Sequence, residues 1–152
     1  MAAFVYNEGA LRLLNGTDDY LTDTIKMGLS TTVHVPNKDD ALLDEGGADD
    51  FVDGELTGTG YAGGFAGAGR KTLASKTVAK DAATDRVRLS SAAITWTAIN
   101  AGTIKQGTLL KEITSDAASK PLANCELAST QATNGGDITF TPATDGWFYS
   151  QQ

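Results

Sequence analysis

Lys71 to Ile113 reads KTLASKTVAKDAATDRVRLSSAAITWTAINAGTIKQGTLLKEI, and its run of strand signals decides the fold. Leu73 to Lys80 is rich in Thr and Val. Asp81-Ala82-Ala83-Thr84-Asp85 is a polar turn whose aspartates suit hydrogen bonds from nearby backbone N–H groups. Arg86-Val87-Arg88-Leu89 alternates charged and apolar residues, the pattern of a half-buried strand. Ile94, Trp96 and Ala98 share one face of the next segment, with Thr95 and Thr97 on the other; Leu109, Lys111 and Ile113 share a face further on. Trp96 is expected at the centre of the core, because it can bury on the order of 200 Å². The run predicts a meander of short antiparallel strands. That implies an all-β fold, an antiparallel β-sandwich or barrel-like meander with one short N-terminal helix.

Outward toward the N-terminus, Thr24 to Leu29 is a strand, with Ile25, Met27 and Leu29 alternating with Lys26 and Gly28. Asn7 to Leu14 is the short helix: Asn7 suits its N-cap, Ala10, Leu11 and Leu14 fall on one face, and Asn15-Gly16 ends it. Residues 1–6 form an N-terminal arm carrying Phe4, Val5 and Tyr6 with no local partner, expected to be adhesive rather than structural. Residues 36–70 read as an acidic and Gly-rich insertion loop. In its first half Ala41 to Leu43 could make one helical turn, and Phe51 and Val52 would anchor the segment to the core. Its second half, TGTGYAGGFAGAGR (Thr57 to Arg70), is expected to project and to order only on contact. Outward toward the C-terminus, Thr114 to Pro121 is a hairpin loop. Leu122 to Ala128 is a strand with Ala123, Cys125 and Leu127 on one face. Asn134 to Asp137 turns, Ile138 to Thr141 is a strand, Asp145-Gly146 turns again, and Trp147-Phe148-Tyr149 closes the chain.

The 152 residues are read as a single domain, long enough to bury roughly 68–70% of the unfolded surface without a disulfide or metal. One cysteine excludes an internal disulfide. Met1 to Tyr6 lacks the basic start and long apolar run of a signal peptide, and no stretch approaches the ~18 apolar residues of a membrane span. Residues 1–55 hold 12 carboxylates against Arg12, Lys26 and Lys38, or −9, while the remainder carries +2. So acidic a surface repels phosphate backbones, which argues against nucleic acid and for a basic protein partner.

No motif here carries catalysis. Gly58-Thr59-Gly60-Tyr61-Ala62-Gly63 fits GxGxxG, but more glycine and β-type sequence follow it instead of the helix a dinucleotide fingerprint requires. Arg70 between Gly69 and Lys71 breaks a phosphate-loop spacing. His34, the only histidine, reads as a loop residue beside Pro36, and Cys125 as a buried, inert thiol. One His and one Cys rule out the usual zinc sets. The EF-hand pattern is absent, so the acidic block is read as a solvated loop or a surface for a basic partner rather than a cation site. No cofactor or metal is expected. The partner-binding candidates are Phe4, Tyr6, Asp39, Asp40, Asp44, Glu45, Asp49, Asp50, Tyr61 and Phe65. A carbohydrate-binding β-sandwich would instead need an exposed platform from Tyr61, Phe65, Trp147 and Tyr149.

The order of segments resembles a group of small tailed-bacteriophage structural proteins. The matching stretches are NEGALRLL, DTIKMGL (Asp23 to Leu29) and the acidic connector from Pro36 to Asp53. They continue with GELTGTGY…KTLASKTV…DAATDRVRLSSAAITWTAI and SKPLANCEL…TNGGDITF before an aromatic end. The Gly-rich Ala62 to Gly69 departs from the pattern, which would run Tyr61 almost directly into Arg70-Lys71. The resemblance implies a non-enzymatic virion protein. It would be a capsid decoration (cement) protein on the outer surface of the head, in contact with major capsid subunits. By analogy with cement proteins it would be a homo-trimer. A neck or tail accessory protein is the alternative.

Overall fold

The computed structural model describes residues 2–144 and 146–149, so Met1 of the arm and Asp145 of the last turn lie outside the described residues. The fold is all-β, with two short helices where the sequence predicted one. The elements are β1 (Ala2–Val5), α1 (Asn7–Leu14), β2 (Lys26–Ser30), α2 (Phe51–Gly54), β3 (Lys71–Thr72), β4 (Thr77–Asp81), β5 (Arg86–Ser90), β6 (Ile94–Trp96), β7 (Thr103–Lys111), β8 (Lys120–Ala132), β9 (Ile138–Phe140) and β10 (Phe148–Tyr149). A five-stranded sheet runs β1-β8-β7-β2-β3, a three-stranded sheet β10-β5-β4, and β6 pairs with β9. Every pairing is antiparallel.

The expected meander is corrected. Within 71–113 only β4 and β5 form a hairpin, around the predicted Asp81–Asp85 turn, where Asp81 Oδ1 accepts the Ala83 N–H at 3.0 Å. β6 turns away to β9, and β7 lies between β2 and β8. Alternation along a strand records which face is wet, not which strand lies beside it. Ala98 leaves the expected face as well: it is exposed with φ 51°, and Ile99 is buried in its place.

One face of the five-stranded sheet contributes Met27, Leu29, Leu109, Ala123 and Cys125 to the main core. The smaller sheets supply Ile94, Trp96, Phe140 and Phe148, and the chain between them adds Ile99 and Trp147. Trp96 is fully buried, as expected. It packs edge-on to Phe140 with ring centres 5.8 Å apart, and its indole N–H donates to the Gly69 carbonyl at 2.6 Å. Cys125 is buried too, with its thiol pushed up to about 12 by desolvation.

The N-terminal arm is part of the sheet rather than free of local partners. Ala2 to Val5 pairs with Glu126 to Ala123, and Tyr6 is buried, its backbone N–H donating to the Leu122 carbonyl at 3.1 Å. Helix α1 has the predicted span but neither the predicted cap nor the predicted face. Tyr6 occupies the cap position without a side-chain cap bond, and the Asn7 amide reaches Asp39 instead. Leu11 and Leu14 are exposed, while Gly9 is buried against β8. A Cβ built on Gly9 would stand 2.7 Å from the Leu122 carbonyl oxygen. Leu122 is the extra residue of an irregularity, since Leu109 faces Ala123 and Leu110 faces Pro121. This tight seat predicts that Gly9→Ala destabilises by about 1–3 kcal/mol despite alanine's better helix propensity. Chemical denaturation of the two proteins would measure it, and a stabilised variant would refute the close approach.

Candidate functional site

The other face of the five-stranded sheet carries the polar features. Chain 31–54 leaves β2 and returns to it: the Thr31 N–H donates to the Gly54 carbonyl at 2.8 Å, and the Leu56 N–H to the Leu29 carbonyl at 3.0 Å. This loop holds most of the acidic block. Ala41 to Leu43 make no helical turn; Leu43 is buried with Phe51 and Leu110 in a small second core that Val52 packs against, so the predicted Phe51 anchor is present.

The carboxylates organise the loop from within. Asp40 accepts the Asn37 N–H at 3.0 Å, Asp44 that of Gly46 at 3.1 Å, and Glu45 those of Ala41 and Leu42 at 2.6 and 3.1 Å. Asp50 accepts from Glu45 and Gly47 at 2.8 and 2.9 Å. Short acidic side chains meet backbone donors this way wherever no ladder claims them. Asp39, Glu45 and Asp49 are exposed; Asp40, Asp44 and Asp50 are half-buried. Burial chiefly, and then the charges of Glu45, Asp50 and Asp49, raise the Asp40 carboxyl above its ordinary value against a backbone bond from Asn37. Among the described residues no group of three or more His, Cys, Asp or Glu side chains is arranged to hold a metal ion.

The structure brings part of the predicted site together and disperses the rest. Phe4 is half-buried, edge-on to Tyr6 at 5.1 Å, with the Lys38 ammonium 5.8 Å from its ring centre. Asn7 ties this corner to the block through Asp39 at 2.6 Å and the Lys38 carbonyl at 2.8 Å. Phe4 therefore lies beside Lys38 at the edge of the acidic block, whereas Tyr6 is buried and offers no contact surface. Tyr61 is buried as well, its hydroxyl accepting the Leu29 N–H at 2.7 Å. Phe65 is exposed on the Gly-rich loop. With Tyr61 and Trp147 both buried, the aromatic platform is not assembled; the Tyr149 side chain lies outside the described residues.

The Gly-rich loop does not project freely. Arg70, its last residue, has a side chain with no exposure and lies 5.4 Å from the Phe51 ring centre. It meets Glu55 in a two-point contact, Nε to Oε1 at 2.8 Å and Nη2 to Oε2 at 2.6 Å. Its Nη1 reaches Glu112 at 3.1 Å and Asp116 at 2.6 Å. The same carboxylates take loop backbone: the N–H groups of Gly64, Phe65 and Ala66 donate to Glu55, Asp116 and Glu112. Lys26 pairs with Glu112. Burial alone would lower the Arg70 pKa, yet the bonds to Glu55 and Asp116 raise it, so the guanidinium stays charged.

His34 is not a surface loop residue. It is buried edge-on to Phe51, ring centres 5.5 Å apart, and its Nδ1 lies 3.1 Å from Ser30 Oγ and 3.2 Å from Gln106 Nε2. From Gln106 a chain of buried polar groups crosses the sheet. Asn124 Nδ2 donates to Gln106 Oε1 at 3.1 Å, and Thr108 Oγ1 donates to Asn124 Oδ1 at 3.1 Å. A Ser–His pair invites comparison with a nucleophile and its base, but base chemistry needs substrate access and an orienting group. Ser30 is fully buried, and Nδ1, where an orienting acid would act, faces a neutral amide.

Sequence reading missed Arg70, Glu55, Glu112 and Asp116 as a unit, and the row Ser30, Gln106, Thr108 and Asn124. The row did leave a signal. Gln106, Thr108 and Leu110 alternate with apolar Leu109, and that face of a strand ordinarily reads as solvent. An open groove of about 510 Å³ between the far half of β8 and β9 is lined by Leu127, Gln131, Asp137 and Thr139, and gathers none of the predicted residues. No protein-family model matches the chain, and no curated protein or solved structure matches it.

Proposed function

We propose that this chain is a non-enzymatic structural component of a tailed-phage virion. Its place is the outer surface of the head, as a decoration protein spanning neighbouring major capsid subunits, and it acts as a homo-trimer. The segment resemblance suggests the class. The observation that carries the contact role is the acidic loop: its backbone N–H groups hold Asp40, Asp44, Glu45 and Asp50, giving an ordered base on which exposed Asp39, Glu45 and Asp49 form a negative surface. An interface ordered in advance loses little entropy on docking. Binding across subunits then stabilises a shell by mass action.

Binding to purified shells tests this. Affinity should fall as salt rises from about 50 to about 500 mM, where the Debye length shrinks from roughly 14 to roughly 4 Å. Chelator should change neither folding nor binding. Neutralising Asp39, Asp40, Asp44 and Glu45 to Asn or Gln keeps an acceptor oxygen for each backbone N–H, so the loop should stay folded. Association should nevertheless slow more than dissociation quickens. Salt-insensitive binding would remove the electrostatic interface. A copy number of about a dozen per virion instead of hundreds, the contrast expected between a ring around one portal and a coat over every capsomer, would favour the neck or tail.

A further inference from the structure

We propose that the 31–54 loop is an acid-released flap, locked onto the second face of the five-stranded sheet by His34 at its neck. The proposal does not depend on the virion role, since it concerns only how this loop is fastened.

The lock is directional. Gln106 Nε2 donates to the His34 carbonyl at 2.6 Å, and its Oε1 accepts from Asn124. A carbonyl only accepts, so the His34 carbonyl fixes which way the Gln106 amide points and makes Nδ1 an acceptor. The neutral ring then carries its proton on Nε2. A second proton, at Nδ1, finds an acceptor only in Ser30 Oγ at 3.1 Å and sets N–H against the N–H₂ of Gln106 at 3.2 Å. Turning that amide over would place Oε1 against the His34 carbonyl and a donor against the Asn124 donor. The backbone of the neck is closely seated as well: a Cβ on Gly54 would lie 2.3 Å from the His34 backbone N and 2.6 Å from the His34 Cβ. The imidazolium is accommodated by leaving the neck.

The charges around the ring are few. Asp49 and Asp50 of the loop favour the imidazolium, but desolvation outweighs them and draws the His34 pKa down to about 4. The Arg70 guanidinium shares the Phe51 ring, while β2 and β7 present neutral Ser30 and Gln106. The folded pKa lies below the ordinary 6.5, so this contribution to closure is complete above about pH 6.5 and is lost as pH falls through about 4. Asp40, with a raised pKa, acts in the opposite sense by losing its charge in the closed loop.

Beyond the neck the flap is held by Asn7, on Asp39 and the Lys38 carbonyl, and by the Leu43 N–H on the Ser119 carbonyl, so it can open apart from the main core. Its apolar residues Leu43, Phe51 and Val52 belong to the small cluster with Leu110, and no residue of 31–54 belongs to the main core. Its carboxylate-to-backbone bonds are internal and would travel with it.

Amide hydrogen exchange on the full chain, corrected for intrinsic rates, tests the device. Between about pH 7 and about pH 4.5, the amides fastening the loop (Thr31 at the neck, Leu43 on Ser119, Asn7 on Lys38) should exchange about 10–100-fold faster, with those of the β7–β8 ladder still protected. His34→Gln places a neutral amide at the neck and should abolish this pH dependence. Should that variant fail to fold, the wild-type ring serves: His34 is the only histidine, so its NMR titration is unambiguous. Its midpoint should lie well below the ordinary value and coincide with loop opening. Loop and ladder amides losing protection together would overturn the proposal. So would a pH dependence that persists in His34→Gln, or a ring that titrates while the loop stays protected.

Discussion

Arg70→Met is expected to destabilise the protein by about 3–5 kcal/mol, because it removes one partner of a buried ion cluster and leaves the others. Glu55, whose side chain is 3% exposed, would lose both guanidinium contacts and keep only the Tyr61 hydroxyl and the Gly64 N–H. Glu112 would still have Lys26, and Asp116, the most exposed of the three acids, would turn to water. The damage should therefore concentrate on Glu55. In thermal melts the loss corresponds to a fall of about 6–20 °C for a domain of this size. Adding Glu55→Gln removes the orphaned charge and should restore part of the loss. Equal stability of the single and double variants would show that the charge of Glu55 is not what the guanidinium offsets. The Gly-rich loop is bound to the same carboxylates, so cleavage by a protease between Ala62 and Gly69 should quicken in Arg70→Met.

Trp96→Ala is expected to cost a similar amount, about 3–5 kcal/mol, by a different mechanism. Trp96 and Trp147 are the largest fully buried side chains among the described residues, and truncating Trp96 leaves a cavity bounded by Phe140 among others. The Gly69 carbonyl also loses the indole donor, which adds on the order of 1 kcal/mol. Trp96→Phe separates the two contributions: it keeps most of the volume and loses the hydrogen bond, so its cost should be clearly smaller. Urea denaturation measures all three proteins. A Trp96→Ala variant within about 1 kcal/mol of wild type would mean that the surroundings collapse to fill the space.

These two residues show how far the sequence reads. Trp96 was legible because a large aromatic in an alternating run has few stable places other than a core. The alternation of Ile25, Met27 and Leu29 was legible for the same reason, as was the buried Cys125. Arg70 was not. Among glycines it looked like a break in a motif, and its three carboxylates lie 15, 42 and 46 positions away in the chain.

The sequence by itself determined the all-β class, the span of α1, most of the interior strands and the principal turns, because these rest on local periodicity and on turn residues. Strand neighbours were decided only by the tertiary structure. So was the fate of polar residues at alternate positions of β7 and β8. A sheet with one wet face would expose Ser30, Gln106, Thr108 and Asn124. Here α1, Tyr6 and the 31–54 loop cover that face, and each polar group must find its partner in another element. The same closure turned the N-terminal arm into a strand and His34 into the neck of a flap. Burial depends on what the rest of the chain lays over a residue, and no window of sequence around that residue contains it.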